Sequence, residues 1–260
     1  MKCAVCANES AYIFSQEILG KYQCKYFYCE VCGFLQTEKP YWLAEAYSEA
    51  IASADTGLVQ RNIGLSRQLS VLLYVLFGKN GRYVDFAGGT GLLVRMMRDV
   101  GFDFYWKDPY CSNIHARGFE VETSRAPFNA VTAFEVLEHL EDPIAFITDA
   151  LMQSETRTFV FTTELFEGKP PAPGEWWYYT FKTGQHISFY QYRTFQVIAK
   201  KLGLNCYSNG LFHLFTDKNI NATVYRLLTN PSIGRAFAYL PIFSMESMTM
   251  QDHLDIMGRH

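Results

Sequence analysis

The sequence predicts an α/β protein, a mostly parallel sheet with helices on both faces, preceded by a small β module. Three observations carry this prediction. From residue 82 onward, short apolar runs alternate with segments of helical periodicity, the pattern of parallel strands joined by crossing helices. A buried strand, a glycine turn and an amphipathic helix follow one another directly over 83–100. The first forty residues differ from the rest, being rich in tyrosine and holding five of the seven cysteines.

Within residues 1–40, alternating runs at 11–14, 22–28 and 33–37 read as strands. Pro40 then punctuates the chain, and apolar residues at helical spacing (Leu43, Ala46, Tyr47, Ala50, Ile51) predict a helix over 41–52. A second helix is expected over 63–77. The alternating region follows, with strands at 83–86, 102–106, 130–134 and 158–162 and helices at 91–100 and 143–152. A Pro-rich loop at 169–174 interrupts it, after which a helix at about 191–202 and strands at 205–208 and 212–216 are expected. The last thirty residues read as loosely helical, with a fraying end at 248–260. The divisions are therefore 1–40 for the cysteine module, 41–80 for a helical lead-in, 81–220 for the α/β domain and 221–260 for a helical extension.

The chain's 260 residues, 49% hydrophobic and 19% charged, exclude intrinsic disorder. A net charge of −3 offers no cationic field, which disfavours nucleic acid as a partner. The longest apolar run, 71–77, is far short of a membrane span, and the N-terminal residues lack the apolar core of an export signal. A cytoplasmic protein without membrane contact is expected. In such a compartment, cysteines in two Cys-x-x-Cys pairs suggest metal or free thiols before disulfides. Oligomeric state is not legible.

The glycine turn is Asp85-Phe86-Ala87-Gly88-Gly89-Thr90-Gly91. A backbone that must turn sharply and let a ligand touch the main chain needs residues without a Cβ. The dinucleotide fingerprint requires glycines at its first, third and sixth places; counted from Gly89 the sixth is Val94, so a pyrophosphate ligand fits poorly. Asp108 closes the next strand, 23 positions after Asp85, near the offset at which an acid meets a ribose diol. Its other role is a turn residue before Pro109.

The spacing of Asp85, Ala87, Gly89 and Gly91 resembles the first motif of class I S-adenosylmethionine (SAM) dependent methyltransferases, with Ala87 where that family usually has glycine. The segment from Phe128 through Phe134-Glu135-Val136-Leu137-Glu138-His139 to Pro143 resembles the fourth-strand motif of small-molecule methyltransferases, with Asn129 in place of a common aspartate. Gly184-Gln185-His186-Ile187-Ser188 resembles the segment after strand five. The resemblance implies a Rossmann-like fold with a central, mostly parallel, seven-stranded sheet. It also implies SAM held by Asp85, Ala87, Gly88, Gly89, Gly91, Asp108, Phe134 and Glu135.

Methyl transfer from a sulfonium is an in-line displacement, so few catalytic groups are needed beyond one that removes a proton. His139 and His186 are the candidate bases because imidazole titrates near neutrality, and Glu138 can orient either. The run Glu175-Trp176-Trp177-Tyr178-Tyr179 either walls a planar or sugar acceptor or alternates into the core. Arg61 and Asn62, placed before the long helix, are candidates for the cofactor's carboxylate.

Cys3-x-x-Cys6 and Cys29-x-x-Cys32 are separated by 22 residues. Four thiolates close a tetrahedral site, so the implied zinc is structural, in a zinc-ribbon-like module. A similar module precedes the methyltransferase domain of sugar C-methyltransferases. The expected function is thus methyl transfer to a small molecule, with a sugar or glycan precursor as a candidate acceptor. The alternatives are a non-catalytic SAM-binding protein that interacts through its zinc module and, against the charge, an RNA methyltransferase.

Overall fold

The structure is a computed structural model and describes residues 1–47, 56–121, 126–237 and 239–258. In chain order the strands are β1 (Ala11–Ile18), β2 (Tyr22–Tyr28), β3 (Leu35–Thr37), β4 (Arg82–Phe86), β5 (Asp103–Lys107), β6 (Ala130–Phe134), β7 (Thr158–Thr162), β8 (Ser188–Phe189), β9 (Asn205–Ser208) and β10 (Phe212–Thr216). The helices are α1 (Leu43–Ala46), α2 (Leu58–Phe77), α3 (Leu92–Val100), α4 (Pro143–Gln153), α5 (Tyr192–Leu202), α6 (Ala222–Leu228), α7 (Pro231–Phe237), α8 (Tyr239–Ser244) and α9 (Thr249–Met257). None of the described helices is long and apolar enough to cross a membrane.

Two sheets form. The larger has six strands in the order β5-β4-β6-β7-β10-β9. The pairs β4–β5 and β4–β6 are parallel, whereas β9 and β10 form an antiparallel hairpin, so the sheet is mixed. The expectation of seven strands is corrected: outside β5 the described residues give only an isolated bridge, Trp106 with Glu120. One residue pair cannot sustain a ladder.

The chain forms two compact units. The first comprises Met1–Ala54, Phe134–Asp149 and Phe161–Asp217; the second comprises Asp55–Ala133, Ala150–Val160 and Lys218–His260. In the first, the four-stranded antiparallel sheet has the order β1-β2-β3-β8. Strand β2 alternates as period-two pleating requires: Cys24, Tyr26 and Tyr28 are buried while Gln23 and Lys25 face water. Its buried face joins Ile18, Leu35, Trp42, Tyr178, Tyr179 and Phe189 in one aromatic cluster. The strands of residues 1–40 therefore share their core with residues far along the chain, a feature the module's own sequence did not disclose. The two-residue β8 was also not expected.

The expected helix at 41–52 is the single turn α1 within the described residues, and its remainder at 48–52 lies outside them. Helix α2 begins before residue 63, which places Arg61 and Asn62 inside it; Asn62 Nδ2 donates to the Leu58 carbonyl as an ordinary first-turn contact. Helix α5 opens with a reciprocal cap between Gln191 and Thr194.

The second unit corrects the fraying end. Asp252 on α9 is 2% exposed, and its carboxylate takes both Arg98 Nε at 2.8 Å and Arg98 Nη2 at 2.7 Å. Arg95 Nη2 lies 2.8 Å from the same carboxylate, and Arg98 Nη1 also reaches Asp103 at 2.9 Å and the Phe104 carbonyl at 3.0 Å. A bidentate buried pair of this kind needs its partners to be fully hydrogen-bonded. Gly101, at φ 114°, lets the 245–246 segment lie against the end of α3: a Cβ there would stand 2.5 Å from the Glu246 carbonyl oxygen.

Candidate functional site

In the second unit, β4 ends at Phe86 and the chain turns through residues 87–91 into α3. Ala87, Gly89 and Gly91 have positive φ, at 57°, 54° and 81°. For alanine that conformation costs about 1 kcal/mol. The glycines are not equivalent. A Cβ at Gly91 would meet Asn113 Oδ1 at 2.6 Å, and one at Gly88 would meet Asp85 Oδ2 and Trp106 Cδ1 at 3.0 Å, so close packing fixes both. At Gly89 a Cβ would meet nothing within 4 Å. Gly89 therefore presents open backbone.

Its polar groups are nonetheless held. The Gly89 N–H donates to Asp108 Oδ2 at 2.9 Å, and its carbonyl accepts the indole N–H of Trp106 at 2.8 Å. Asp108 Oδ1 accepts the N–H groups of Tyr110 at 2.7 Å and Cys111 at 2.9 Å. The acid expected on a ribose is thus also the turn residue. A carboxylate has about four acceptor positions, so one beyond these three bonds stays available to a hydroxyl.

Asp85, 4% exposed, accepts the Thr132 hydroxyl. Burial pushes its carboxyl up to about 7; the Thr132 hydrogen bond opposes this, and the charge of Asp108 adds to it. Such a group switches charge near neutrality when a cation approaches. Trp106 and Thr132 were not singled out from sequence. Trp106 carries a signal in retrospect, sitting near the end of β5, two positions before Asp108.

The other expected residues lie in the first unit. Phe134 packs on Phe212 with ring centroids 5.6 Å apart. Glu135 has φ 54°, and Thr162 pins it twice: the Glu135 N–H donates to Thr162 Oγ1 at 3.1 Å, and that hydroxyl donates to Glu135 Oε1 at 2.7 Å. Strain held by specific bonds is typical of functional strand ends.

Glu138 and His139 lie on a 3-10 turn, Leu137–His139, and come together with His186. One candidate ligand atom from each lies within 4.8 Å of the others, and the two imidazole centroids are 4.9 Å apart. Three bonds tie the turn to the following segment: Ile187 N–H to the Glu138 carbonyl at 2.8 Å, Ser188 Oγ to the Leu140 carbonyl at 2.6 Å, and the Tyr190 hydroxyl to the Leu137 carbonyl at 2.6 Å. His139 Nδ1 lies 3.0 Å from the Gln185 carbonyl oxygen and His186 Nδ1 lies 2.7 Å from that of Tyr178. A carbonyl only accepts, so each Nδ1 carries the proton and each Nε2 keeps its lone pair. Burial pulls both imidazoles below their ordinary value, His186 to about 3, with His139 beside it lowering it further. Both rings are neutral at pH 7.

Among the aromatic run, a 3-10 turn over Trp177–Tyr179 breaks the alternation considered from sequence. Tyr178 and Tyr179 are both buried, at 2% and 1%, whereas Trp177 is 71% exposed. Tyr178 packs on His186 at 4.5 Å between centroids, and its hydroxyl pairs with Thr163 Oγ1 at 3.0 Å. Tyr178 and Tyr179 are core, Trp176 packs against it partly buried, and Tyr178 supports the histidines.

The structure gathers Cys3, Cys6, Cys29 and Cys32 into one cluster within 4.8 Å, with all four as free thiols. Cys3 and Cys32 sulfurs are 3.5 Å apart and those of Cys6 and Cys29 are 3.4 Å apart. A tetrahedral zinc bonded to sulfur at about 2.3 Å spaces its thiolates about 3.8 Å apart, so the set fits the ion with small outward shifts. Without a cation the four cannot all ionise. The hydrogen bond from Cys32 draws Cys3 down to about 5 while the same bond pushes Cys32 up.

A parallel strand, an open glycine turn and an acid closing the next strand are the construction of an α/β protein that takes its ligand at the carboxyl ends of the strands. Residues 61–209 match the methyltransferase domain family. The chain belongs to that family. Among solved structures, TnmH is 16% identical with a TM-score of 0.46, over 69% of this chain and 62% of that one. The magnesium protoporphyrin IX methyltransferase of Synechocystis PCC 6803, with bound SAH, is 12% identical with a TM-score of 0.40, over 68% and 94%. An O-methyltransferase family 2 protein of Planctomyces limnophilus DSM 3776, in complex with apigenin, is 14% identical with a TM-score of 0.44, over 68% and 65%. The chain thus spans less than two thirds of the length of TnmH. At such distances these likenesses carry nothing about substrate. No curated protein sequence matches the chain significantly.

Proposed function

We propose that the protein is a SAM-dependent methyltransferase acting on a small molecule. The observation that carries this reading is Gly89, a glycine with open space where its Cβ would be and with both backbone polar groups held by side chains. Packing asks for glycine at Gly88 and Gly91; at Gly89 only the left-handed φ of 54° does, and the space beside its backbone is left open for a ligand. The cofactor supplies an electrophilic methyl on a positively charged sulfur. Asp85, Ala87, Gly88, Gly89, Gly91, Asp108, Phe134 and Glu135 are the residues proposed to hold it. Buried Asp85 suits the cofactor's amino group, and the remaining acceptor position on Asp108 suits a ribose hydroxyl.

Glu138, His139 and His186 are the groups offered to the acceptor, whose proton either neutral Nε2 can take. The four cysteines hold a structural zinc. The acceptor is a small molecule, and a sugar or glycan precursor is the specific candidate, supported by the position and spacing of the cysteine module. The test is calorimetric titration with S-adenosylhomocysteine, with NAD as control and a Gly89→Arg variant that fills the open space. Binding of S-adenosylhomocysteine alone, lost in the variant, is expected. A folded protein that does not bind it overturns the reading.

A further inference from the structure

We propose that Glu138, His139 and His186 form a second metal centre, a two-histidine, one-carboxylate site for a divalent first-row cation such as manganese, iron, cobalt or zinc. It is separate from the four-cysteine cluster. The proposal deepens the acceptor side of the methyltransferase reading, yet it is measured without cofactor or acceptor.

The donor set is the first argument. Two imidazole nitrogens and a carboxylate oxygen suit borderline transition cations better than calcium or magnesium, which prefer oxygen throughout. Their candidate ligand atoms lie within 4.8 Å of one another. A cation about 2.1 Å from each of three ligands spaces them about 3.4 Å apart, so a pair at the outer limit closes by about 1.4 Å.

Orientation is the second argument, and it is independent of the first. Each ring donates Nδ1–H to a backbone carbonyl, His139 to Gln185 at 3.0 Å and His186 to Tyr178 at 2.7 Å. This is the outer-shell arrangement that fixes the tautomer and raises the basicity of a metal-binding imidazole, leaving Nε2 for the ion. The carbonyls are themselves fixed: Gln185 is anchored through its side chain to the Ala46 carbonyl at 2.8 Å, and Tyr178 is in the aromatic core. With both Nε2 atoms on an ion neither imidazole takes the acceptor's proton; the ion replaces the base by favouring the ionised hydroxyl, whose proton passes to solvent.

The third argument is electrostatic. Glu138 is fully buried, and a carboxylate in a low-dielectric site attracts a cation far more strongly than one in water. Three protein ligands also leave open positions at the ion. A hydroxyl oxygen of the acceptor can fill one, and an ion there favours the ionised oxygen. The acceptor class that follows is a hydroxyl compound, which points to O-methylation.

The test uses the full chain, treated with a mild chelator under conditions that leave the cysteine-bound zinc in place, as verified by zinc content. Cobalt(II) is then added and followed by its visible spectrum and by metal uptake. One further saturable equivalent without a thiolate charge-transfer band is expected, and His139→Asn and His186→Asn should each weaken it about tenfold or more. Absence of that equivalent in the native protein overturns the proposal, and this result needs no variant to fold. Unchanged cobalt affinity in both folded variants overturns it as well.

Discussion

Ala7 and Gly33 stand at matching places in two turns, each directly after the second cysteine of its pair. Both lie in the left-handed region, at φ 62° and 75°. Each donates its N–H to the carbonyl of the first cysteine, Ala7 to Cys3 at 2.9 Å and Gly33 to Cys29 at 2.8 Å. The two Cys-x-x-Cys pairs are therefore built as one turn used twice, which points both pairs of sulfurs at a common centre.

The two positions should respond in opposite directions. Ala7→Gly relieves a left-handed alanine and should raise stability by up to about 1 kcal/mol. Gly33→Ala would place a Cβ 2.2 Å from Gln191 Oε1 and 2.5 Å from Arg193 Nε. It should cost about 2 kcal/mol or more. Thermal denaturation of both variants, at equal zinc content, checks the pair; the same sign of shift in both would remove the argument.

Cofactor binding should be linked to a proton at Asp85. Its folded-state value of about 7 lies above the unfolded value. The folded state therefore holds the extra proton, and the stability this gives is present below the unfolded value and declines as pH rises toward 7. A ligand amino group beside the carboxyl reverses the shift and expels up to about one proton at pH 6.5. Titrations of S-adenosylhomocysteine in buffers of different ionisation enthalpy should give different heats, and Asp85→Asn should abolish the difference. Equal heats for the native protein would sink the assignment.

Acid should destabilise the protein well before its ordinary carboxylates titrate. Burial lowers His139, His186 to about 3 and His213 to about 4. For groups depressed in the folded state, stability is present above the unfolded value of about 6.5 and is lost as pH falls through the folded values. Asp85 acts in the opposite direction over part of that range, but three histidines outweigh one carboxyl. Urea denaturation at pH 7.5 and pH 5 should show a net loss of about 2 kcal/mol, and a flat profile would contradict the burial of these rings.

Asp252→Asn should unfasten the C-terminal helix. It removes the charge that Arg95 and Arg98 share and leaves buried Arg98 with Asp103 as its remaining ion pair, a change worth about 3 kcal/mol. Limited proteolysis should cut the variant near α9 while leaving the native chain intact. Equal resistance would show that α9 is held by other contacts.

The alternating region was legible because its signals are local: β6, β7, β9 and β10 have the bounds that their apolar runs indicate. The gathering of the four cysteines was legible from their spacing, whereas His139 and His186 were expected only as two candidate bases and their meeting was not foreseen. What escaped was non-local. The bidentate bond between Arg98 and Asp252 joins residues on separate helices, and no pattern along either helix announces it. Among the described residues the seventh strand is missing because residue 120 contributes one bridge and no ladder. Trp106 and Thr132 escaped because a side chain that holds a loop looks, in sequence, like any strand residue.

The pairing of Leu35 with Phe189 governs how the protein can be made. On the ribosome the cysteine turns emerge early. The sheet that shelters them waits for a partner strand that appears only after most of the α/β region has been synthesised. Until then β3 is a bare edge beside an uncovered aromatic face, a surface that invites chaperones or other nascent chains. The module therefore cannot be moved between proteins as a cassette, because it carries only three of its four strands.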